Sequence, residues 1–599
     1  MKIFSENLDD LDNTETVEFV ITLAKVKDLD SFYSDIENDG GPEFIPDRAV
    51  KPYMRRPTSV NTHYLLTARE AAMLQQDPRV VAVLPADLIR SSMKYNAFTQ
   101  TATFSKTSVE LSDGNPPRWP IGTVMNSNWK NWALLRCTEG AQRTNWGDNG
   151  TATQTATVTV GPTGKNVDIV MVDGMSGVPN HPEYAKNADG TGGTRCMLYD
   201  WNLLTSIVAG IDDDAAPLLK GPYPYYKATV LGNANHGSHT TSTVAGNTQG
   251  WASDANIYQI DPLGGTIDRL IYWDYIRAFH KNKPINPETG RRNPTVVNAS
   301  IGTSFPFPYY PDQGGSGYVL QGTWRGTTVG NYSRNYGLTA VQLDSIGMHN
   351  DGSSEGPAAI SGVPLYWDSD AADMAQAVAD GVIIVAAAGN ESFYIANPGD
   401  VDYNNNFVAR YGGTPYLWNQ HRGCAPGSVP GVVCVGAVGA DKLDSIAWYS
   451  NRGPRVDVFA PGTWITGALS EYTGAWRGSS SASDPRNSAY YIGRLIGTSM
   501  ASPQVAGMLA CIAELYPNMT PADAMTYVKN YAKLSQMPDT GGTAPGWTSD
   551  TKSLQGATNR YMFMPKERPV IGIPYPKKNV WIRPISGRTY PRVRRRMRG

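Results

Sequence analysis

"IGTSMASPQVAGML", Ile496 to Leu509, sets small residues around one serine and then turns apolar at helical spacing. Val505, Met508, Leu509, Ile512 and Leu515 give one stripe that Pro517 ends, the pattern of a buried helix. Ser and Thr are good N-cap residues, and Pro503 is tolerated in the first turn of a helix, so one reading is a plain helix start. The other is that Ser499 is a nucleophile at a helix N-terminus, where backbone N–H groups and the dipole favour a developing negative charge. The stretch alone leaves both open. A serine nucleophile needs a base and a group that orients the base, so the rest of the chain must supply them.

Upstream of this helix, apolar runs of strand length alternate with helical segments. The runs are "VDIVMVD" (167–173), "ANIYQID" (255–261), "TVVNASI" (295–301), "GVIIVAAAGN" (381–390) and "GVVCVGAV" (431–438). Between them, Ile267, Leu270, Ile271, Ile276 and Phe279 predict a helix over 267–279. Continuous apolar strands alternating with helices imply an α/β fold, a mostly parallel sheet with helices on both faces. Two segments interrupt the alternation: 303–369, rich in Gly, Tyr and Pro, and 466–494, where "GSSSASDPRNS" reads as loop.

Ahead of that region, residues 1–95 read as a small α+β unit of ferredoxin-like type. "VEFVITL" (Val17–Leu23) is a strand, a helical segment carries Val26, Leu29, Phe32 and Ile36, and "VNTHYLL" (Val60–Leu66) is a second strand. Thr67 and Glu70 form a capping box for the helix "AREAAMLQQ", and "RVVAVL" (Arg79–Leu84) is another strand. Residues 96–160 are irregular and polar, with a short helix near Trp129–Leu135. The α/β region spans 161–535, and 536–599 is an extended tail. From Pro565 that tail holds eleven Lys/Arg against one Glu, with six prolines, and cannot build a core.

With 599 residues and a net charge of −2, the chain has room for several domains and no overall attraction to polyanions. No run approaches the ~18 apolar residues of a membrane span. Five scattered cysteines (Cys137, Cys196, Cys424, Cys434, Cys511) lack CxxC spacing and form neither a disulfide framework nor a zinc knuckle. The N-terminal "MKIFSENLDDLDNTETVEF" lacks the basic and apolar regions of an export signal, so the chain is expected to be intracellular at synthesis.

Open α/β sheets place ligands at the carboxyl ends of their strands, and three such ends here carry polar residues. Asp173 follows "VDIVMV", where a buried acid is costly unless hydrogen-bonded. Asn390 ends "IIVAAAGN", and His236 opens the small-residue helix "NANHGSHTTSTVAG". With Ser499 these supply acid, base, oxyanion donor and nucleophile, in the chain order Asp, His, Ser. His236 and His239 also make an H-x-x-H pair, but no third metal ligand stands at suitable spacing. His239 reads as a structural partner within its helix.

At these residues the sequence resembles the subtilisin-like serine protease family, whose triad order is Asp, His, Ser. "GTSMASPQVAG" is similar to its nucleophile motif, "HGSH" to its histidine motif, "VVNASIG" to its substrate-binding strand and "AAAGN" to its oxyanion motif. "VDGMSGVPNHPEY" resembles the aspartate motif, with one residue more before His181-Pro182. The resemblance covers about 165–535. It implies a serine endopeptidase with Asp173, His236 and Ser499 as triad and Asn390 in the oxyanion hole. A protein or peptide substrate would lie extended between Ser300-Ile301-Gly302 and Leu263-Gly264-Gly265.

The unit at 1–95 resembles the family's propeptides, especially in "LTAREAAMLQQDPRVVAVLP". That implies a self-inhibited precursor with its own N-terminal domain as intramolecular inhibitor and a junction between about Ile89 and Gln100. No cofactor or metal is indicated by the sequence, with calcium left open at a site elsewhere in the chain. The loop Asn247–Gly250, which holds calcium in several relatives, is too short to wrap an ion needing six to eight oxygens. The insertion 303–369 and the basic tail suit anchoring in an assembly such as a virus particle, or contact with a polyanion. The alternative from another class is a structural or virion-associated scaffold that keeps the fold with its cleft occluded or unused.

Overall fold

The apolar runs form one sheet because both of its faces are buried. Its spatial order is Asn256–Ile260, Asp168–Val172, Thr295–Ala299, Ile383–Ala387, Val433–Val438, Val458–Pro461, Arg560–Tyr561 and Lys533–Leu534. Neighbours run parallel except for the last pair. The structure is a computed structural model and describes residues 2–3, 14–38, 46, 48–56, 59–86, 130–138, 162–173, 179–197, 199, 201–208, 233–262, 270–305, 319–333, 337–348, 363–411, 414–441, 443–470, 481–541 and 553–564.

Alternate side chains of each strand serve two different layers. Ile169, Met171, Val296, Ile383 and Val385 pack with Val505 and Leu509 of the helix Thr498–Leu515. Val170, Val172, Val297, Ile384 and Ala386 pack with Ile276 and Met374 of the helices Tyr272–Asn282 and Asp368–Ala379. In chain order the first strand, Asp168–Val172, lies between the second and the third, so the strand order reverses there. Register sets Val172 beside Ala299. The residues that follow, Asp173 and Ser300, therefore leave the sheet side by side at its carboxyl edge, where such reversals open a crevice.

Two helix readings need correction. The helix expected over 267–279 runs over Tyr272–Asn282; Leu270 and Ile271 are buried ahead of it, and 263–269 lie outside the described residues. The helix Thr498–Leu515 is capped by Gly497 at φ 146°, with no side-chain cap bond, a backbone region open essentially to glycine. Pro503 consequently falls inside the helix. Having no N–H, it cannot donate to the carbonyl of Ser499 four residues earlier. The Ser300 hydroxyl donates there instead, at 2.9 Å.

The segment 466–494, read as loop, contains a three-stranded antiparallel sheet of Ile465–Leu469, Asn487–Leu495 and Ser481–Asp484. Pro485 and Arg486 turn the chain between its last two strands, and polar serines occupy strand positions because the register, rather than burial of large side chains, holds them. The insertion around 303–369 likewise yields strands. Val319–Trp324 and Thr327–Gly330 join Asn406–Tyr411, Thr414–Asn419 and Lys2–Ile3 in a second antiparallel sheet. Residues 553–564, beyond the expected α/β region, bury Leu554, Tyr561 and Met562, with Tyr561 in register with Phe459.

In the N-terminal unit, Val17–Leu23, Leu29–Glu37, Pro52–Met54, Asn61–Leu66, Ala68–Leu74 and Val80–Pro85 alternate as strand, helix, strand, strand, helix, strand. Its antiparallel sheet has the spatial order Pro52–Met54, Asn61–Leu66, Val17–Leu23, Val80–Pro85. The Thr67–Glu70 capping box is present. This sheet packs on the helix Asp368–Ala379 and shares one buried core with it. At the contact, buried Arg56 donates to Asp274 Oδ2 at 2.8 Å and to Asp373 Oδ2 at 2.6 Å. Ser59 donates to Asp373, and Asn61 Nδ2 donates to the Ser369 carbonyl at 3.0 Å. The junction 89–100 and the basic tail 565–599 lie outside the described residues.

Candidate active site

Asp173 leaves the end of its strand and meets the helix Asn233–Ala245. His236 and Thr240 are one turn apart on that helix, on the same face, and both reach the carboxylate. His236 Nδ1 donates to Asp173 Oδ1 at 2.7 Å, and the Thr240 hydroxyl donates to Oδ2 at 2.7 Å. All three side chains are buried. A carboxylate at Nδ1 fixes the proton on that nitrogen and puts the ring's lone pair on Nε2.

The helix carrying Ser499 packs against the helix carrying His236. Ser499 is its second residue, so its N–H is among the four that no intrahelical carbonyl can accept. Its hydroxyl donates to the Ser300 carbonyl at 3.2 Å. The exchange is reciprocal, because the Ser300 hydroxyl fills the Ser499 carbonyl. Asn298 Nδ2 donates to Ser300 Oγ at 2.9 Å, and Ser502 Oγ donates to Asn298 Oδ1 at 2.7 Å. The backbone at Ser499 is thus braced from the neighbouring strand.

Asn390 Oδ1 accepts the Thr498 N–H at 2.8 Å and the Thr498 hydroxyl at 2.9 Å. A backbone N–H can only donate, so the acceptor must be the amide oxygen, and the NH2 end of Asn390 turns the other way. Gly302 continues the Ser300 segment so close to Cys424 that a Cβ there would stand 2.9 Å from its sulfur. Ile301 is buried beside it. Leu263, Gly264 and Gly265 lie outside the described residues.

His239 has a different partner from His236. Its Nε2 donates to the Ile465 carbonyl at 2.6 Å, and burial pushes the imidazole down to about 3. Among the described residues no group of three His, Cys, Asp or Glu is arranged to hold a metal ion. All five cysteines are buried, and none is in a disulfide. Sequence reasoning missed Thr240, Asn298, Ser502 and Thr498. Thr240 alone had a readable signal, its spacing of four from His236.

Residues 164–561 match the profile of the subtilase family, peptidase S8. The Subtilisin-like proteinase Mp1 of Magnaporthiopsis poae is 29% identical over 214 residues, 35% of this chain and 47% of that protein. The Subtilase-type proteinase psp3 of Schizosaccharomyces pombe is 29% identical over 237 residues, 37% of this chain and 44% of that protein. The chain spans about half the length of the curated relatives it matches. Among solved structures, a cold adapted subtilisin-like serine proteinase aligns over 72% of this chain and 98% of its own, at 19% identity and a TM-score of 0.37.

Proposed function

The chain belongs to the subtilase family, and from that premise we propose that it is a serine endopeptidase with Ser499 as nucleophile, His236 as base and Asp173 as the group that orients the base. The observation that carries this reading is the 2.7 Å bond from His236 Nδ1 to the Asp173 carboxylate. It sits at the sheet's carboxyl edge beside the helix start that bears Ser499. His236 Nε2 takes the proton as Ser499 Oγ attacks the peptide carbonyl, and returns it to the leaving amine. Asp173 stabilises the imidazolium, and water then hydrolyses the acyl-enzyme by the same proton path. The Asn390 NH2 and the Ser499 N–H take the oxyanion.

The Ser300 carbonyl has a second use in this scheme. An extended peptide adding to the Ser300–Gly302 edge would donate its own N–H to that carbonyl. It would then compete with the Ser499 hydroxyl for the acceptor and turn the hydroxyl toward His236. Hydrolysis of a fluorogenic peptide, compared among wild type, Ser499→Ala and the double variant with His236→Ala, tests the reading. The two variants should be equally inactive, because coupled groups are not additive. Substantial activity in Ser499→Ala rejects it.

The N-terminal unit acts in this proposal as the enzyme's own inhibitor. Support comes from its seat on the helix Asp368–Ala379, with Arg56 buried between Asp274 and Asp373. A tethered inhibitor needs little intrinsic affinity, since linkage gives an effective concentration of order mM. Processing near 89–100 should depend on Ser499. Intact mass would show wild type cut there and Ser499→Ala full length. The basic tail is proposed to contact an acidic or polyanionic partner, and its deletion should weaken that contact in a salt-dependent way while sparing hydrolysis.

A further inference from the structure

Among the described residues, the mechanism leaves Glu183 as a buried carboxylate without a part. Glu183 is fully enclosed, and its two oxygens are claimed by donors from two separate segments. Oε1 accepts the Thr248 hydroxyl at 2.6 Å and an Arg486 N–H, while Oε2 accepts the backbone N–H groups of Thr248 at 3.1 Å and Gln249 at 3.0 Å. Burial alone would raise the carboxyl's pKa. Arg486, then the Thr248 hydroxyl, more than offset that and hold it below the usual carboxylate range. Gly246 is required beside it, since a Cβ there would stand 2.3 Å from Oε2.

Each partner belongs to a catalytic segment. Glu183 lies on the stretch that follows Asp173. Thr248 and Gln249 follow the helix that carries His236, which ends at Ala245. Arg486 forms the turn whose next strand, Asn487–Leu495, runs directly into Gly497 and Ser499. A second bond repeats the link: His181 Nε2 donates to the Tyr491 carbonyl of that strand at 2.8 Å, while His181 Nδ1 accepts the Glu183 N–H at 3.1 Å. Asp484 holds the guanidinium from its own hairpin at 2.9 and 2.6 Å, so the fork is aimed before it meets Glu183. None of these residues needs to touch substrate.

We infer that Glu183 and Arg486 are positioning residues, one buried joint that fixes the Asp173, His236 and Ser499 segments relative to one another. The inference rests on the proposed hydrolase reading. A misplacement of about 1 Å from a distant change can cost up to ~10²-fold in rate. Releasing the joint should therefore slow acylation while leaving peptide binding at the Ser300 edge nearly intact.

The test uses the full chain and two readouts below the unfolding temperature of every variant: the rate of labelling by a small fluorophosphonate, and kcat and KM on a fluorogenic peptide. Arg486→Ala and Glu183→Gln should label about 10- to 100-fold more slowly, with kcat falling in step and KM moving less than about threefold. Arg486→Lys keeps the charge without the fork and should fall between, which keeps the test open if the alanine variant does not fold. The double variant Glu183→Gln/Arg486→Ala should be no slower than the slower single variant, because both release one joint. Lower thermal stability with unchanged labelling and kcat would overturn the inference, leaving a purely structural ion pair. Losses that multiply in the double variant would also overturn it. A wild type that is not labelled at all, even once its N-terminal unit is cut or displaced, overturns the hydrolase reading, and this inference with it.

Discussion

Replacing Arg56 by alanine should loosen the N-terminal unit from the catalytic region without unfolding either. The guanidinium is 2% exposed and pairs with Asp274 and Asp373, whose side chains are each 3% exposed. Removing it strands two buried carboxylates, with Arg277 at 3.7 Å from Asp274 as the remaining nearby cation. Breaking a buried pair from one side costs about 3–5 kcal/mol, roughly two to three and a half powers of ten in the docking equilibrium. Hydrogen exchange on a Ser499→Ala background reads this directly, in peptides covering Asn61–Leu66 and Asp368–Ala379. Their opening free energy should fall by that amount while the strand Ile383–Ala387 stays protected. Adding Asp373→Asn removes one stranded charge and should recover part of the loss. Exchange unchanged by Arg56→Ala would refute the view that this ion group holds the two units together.

Asn390→Ala should lower kcat by ~10²–10³ with KM little changed, as expected for a donor used only in the transition state; an equal rise in KM with constant kcat would reassign it to ground-state binding. Buried His239 and His421 have imidazoles pushed by burial down to about 3 and about 4. The unfolded chain therefore takes up protons below ~6.5 that the native state refuses, and stability falls as pH drops through that window. The loss should reach about 2 kcal/mol per histidine at pH 5. Urea unfolding of Ser499→Ala at pH 7.5 and 5 measures it, and a flat profile would contradict the assignment. Chelators should leave activity intact, since the Asn247–Gly250 loop is too short to supply the six to eight oxygens of a calcium ion and lies against Glu183; loss on chelation restored by calcium would show otherwise.

What was legible in the sequence was local. Strands buried on both faces announce themselves as unbroken apolar runs, and a polar residue ending such a run is conspicuous, which is how Asp173 and Asn390 stood out. His236 and Ser499 were visible because small residues crowd them at helix starts. Pro503 misled because a proline in a helix interior is tolerated only where another group serves the carbonyl it abandons. That group, Ser300, lies 199 residues away from Ser499. The hairpin 481–495 escaped because its strands are polar and its partner strand, Ile465–Leu469, sets the register. Arg56 meets Asp274 and Asp373 across 218 and 317 residues. No spacing rule reaches that far, and the Glu183–Arg486 joint is hidden for the same reason.

The most direct test of the central claim is where a serine-directed fluorophosphonate lands. Wild-type protein, with its N-terminal unit cut or displaced, should gain one adduct by intact mass. Peptide mapping should place it on Ser499, and neither Ser499→Ala nor His236→Ala should be labelled at a comparable rate. An adduct on another residue, or a freed catalytic region that stays unlabelled, would contradict the account and favour a scaffold that keeps the fold without the chemistry.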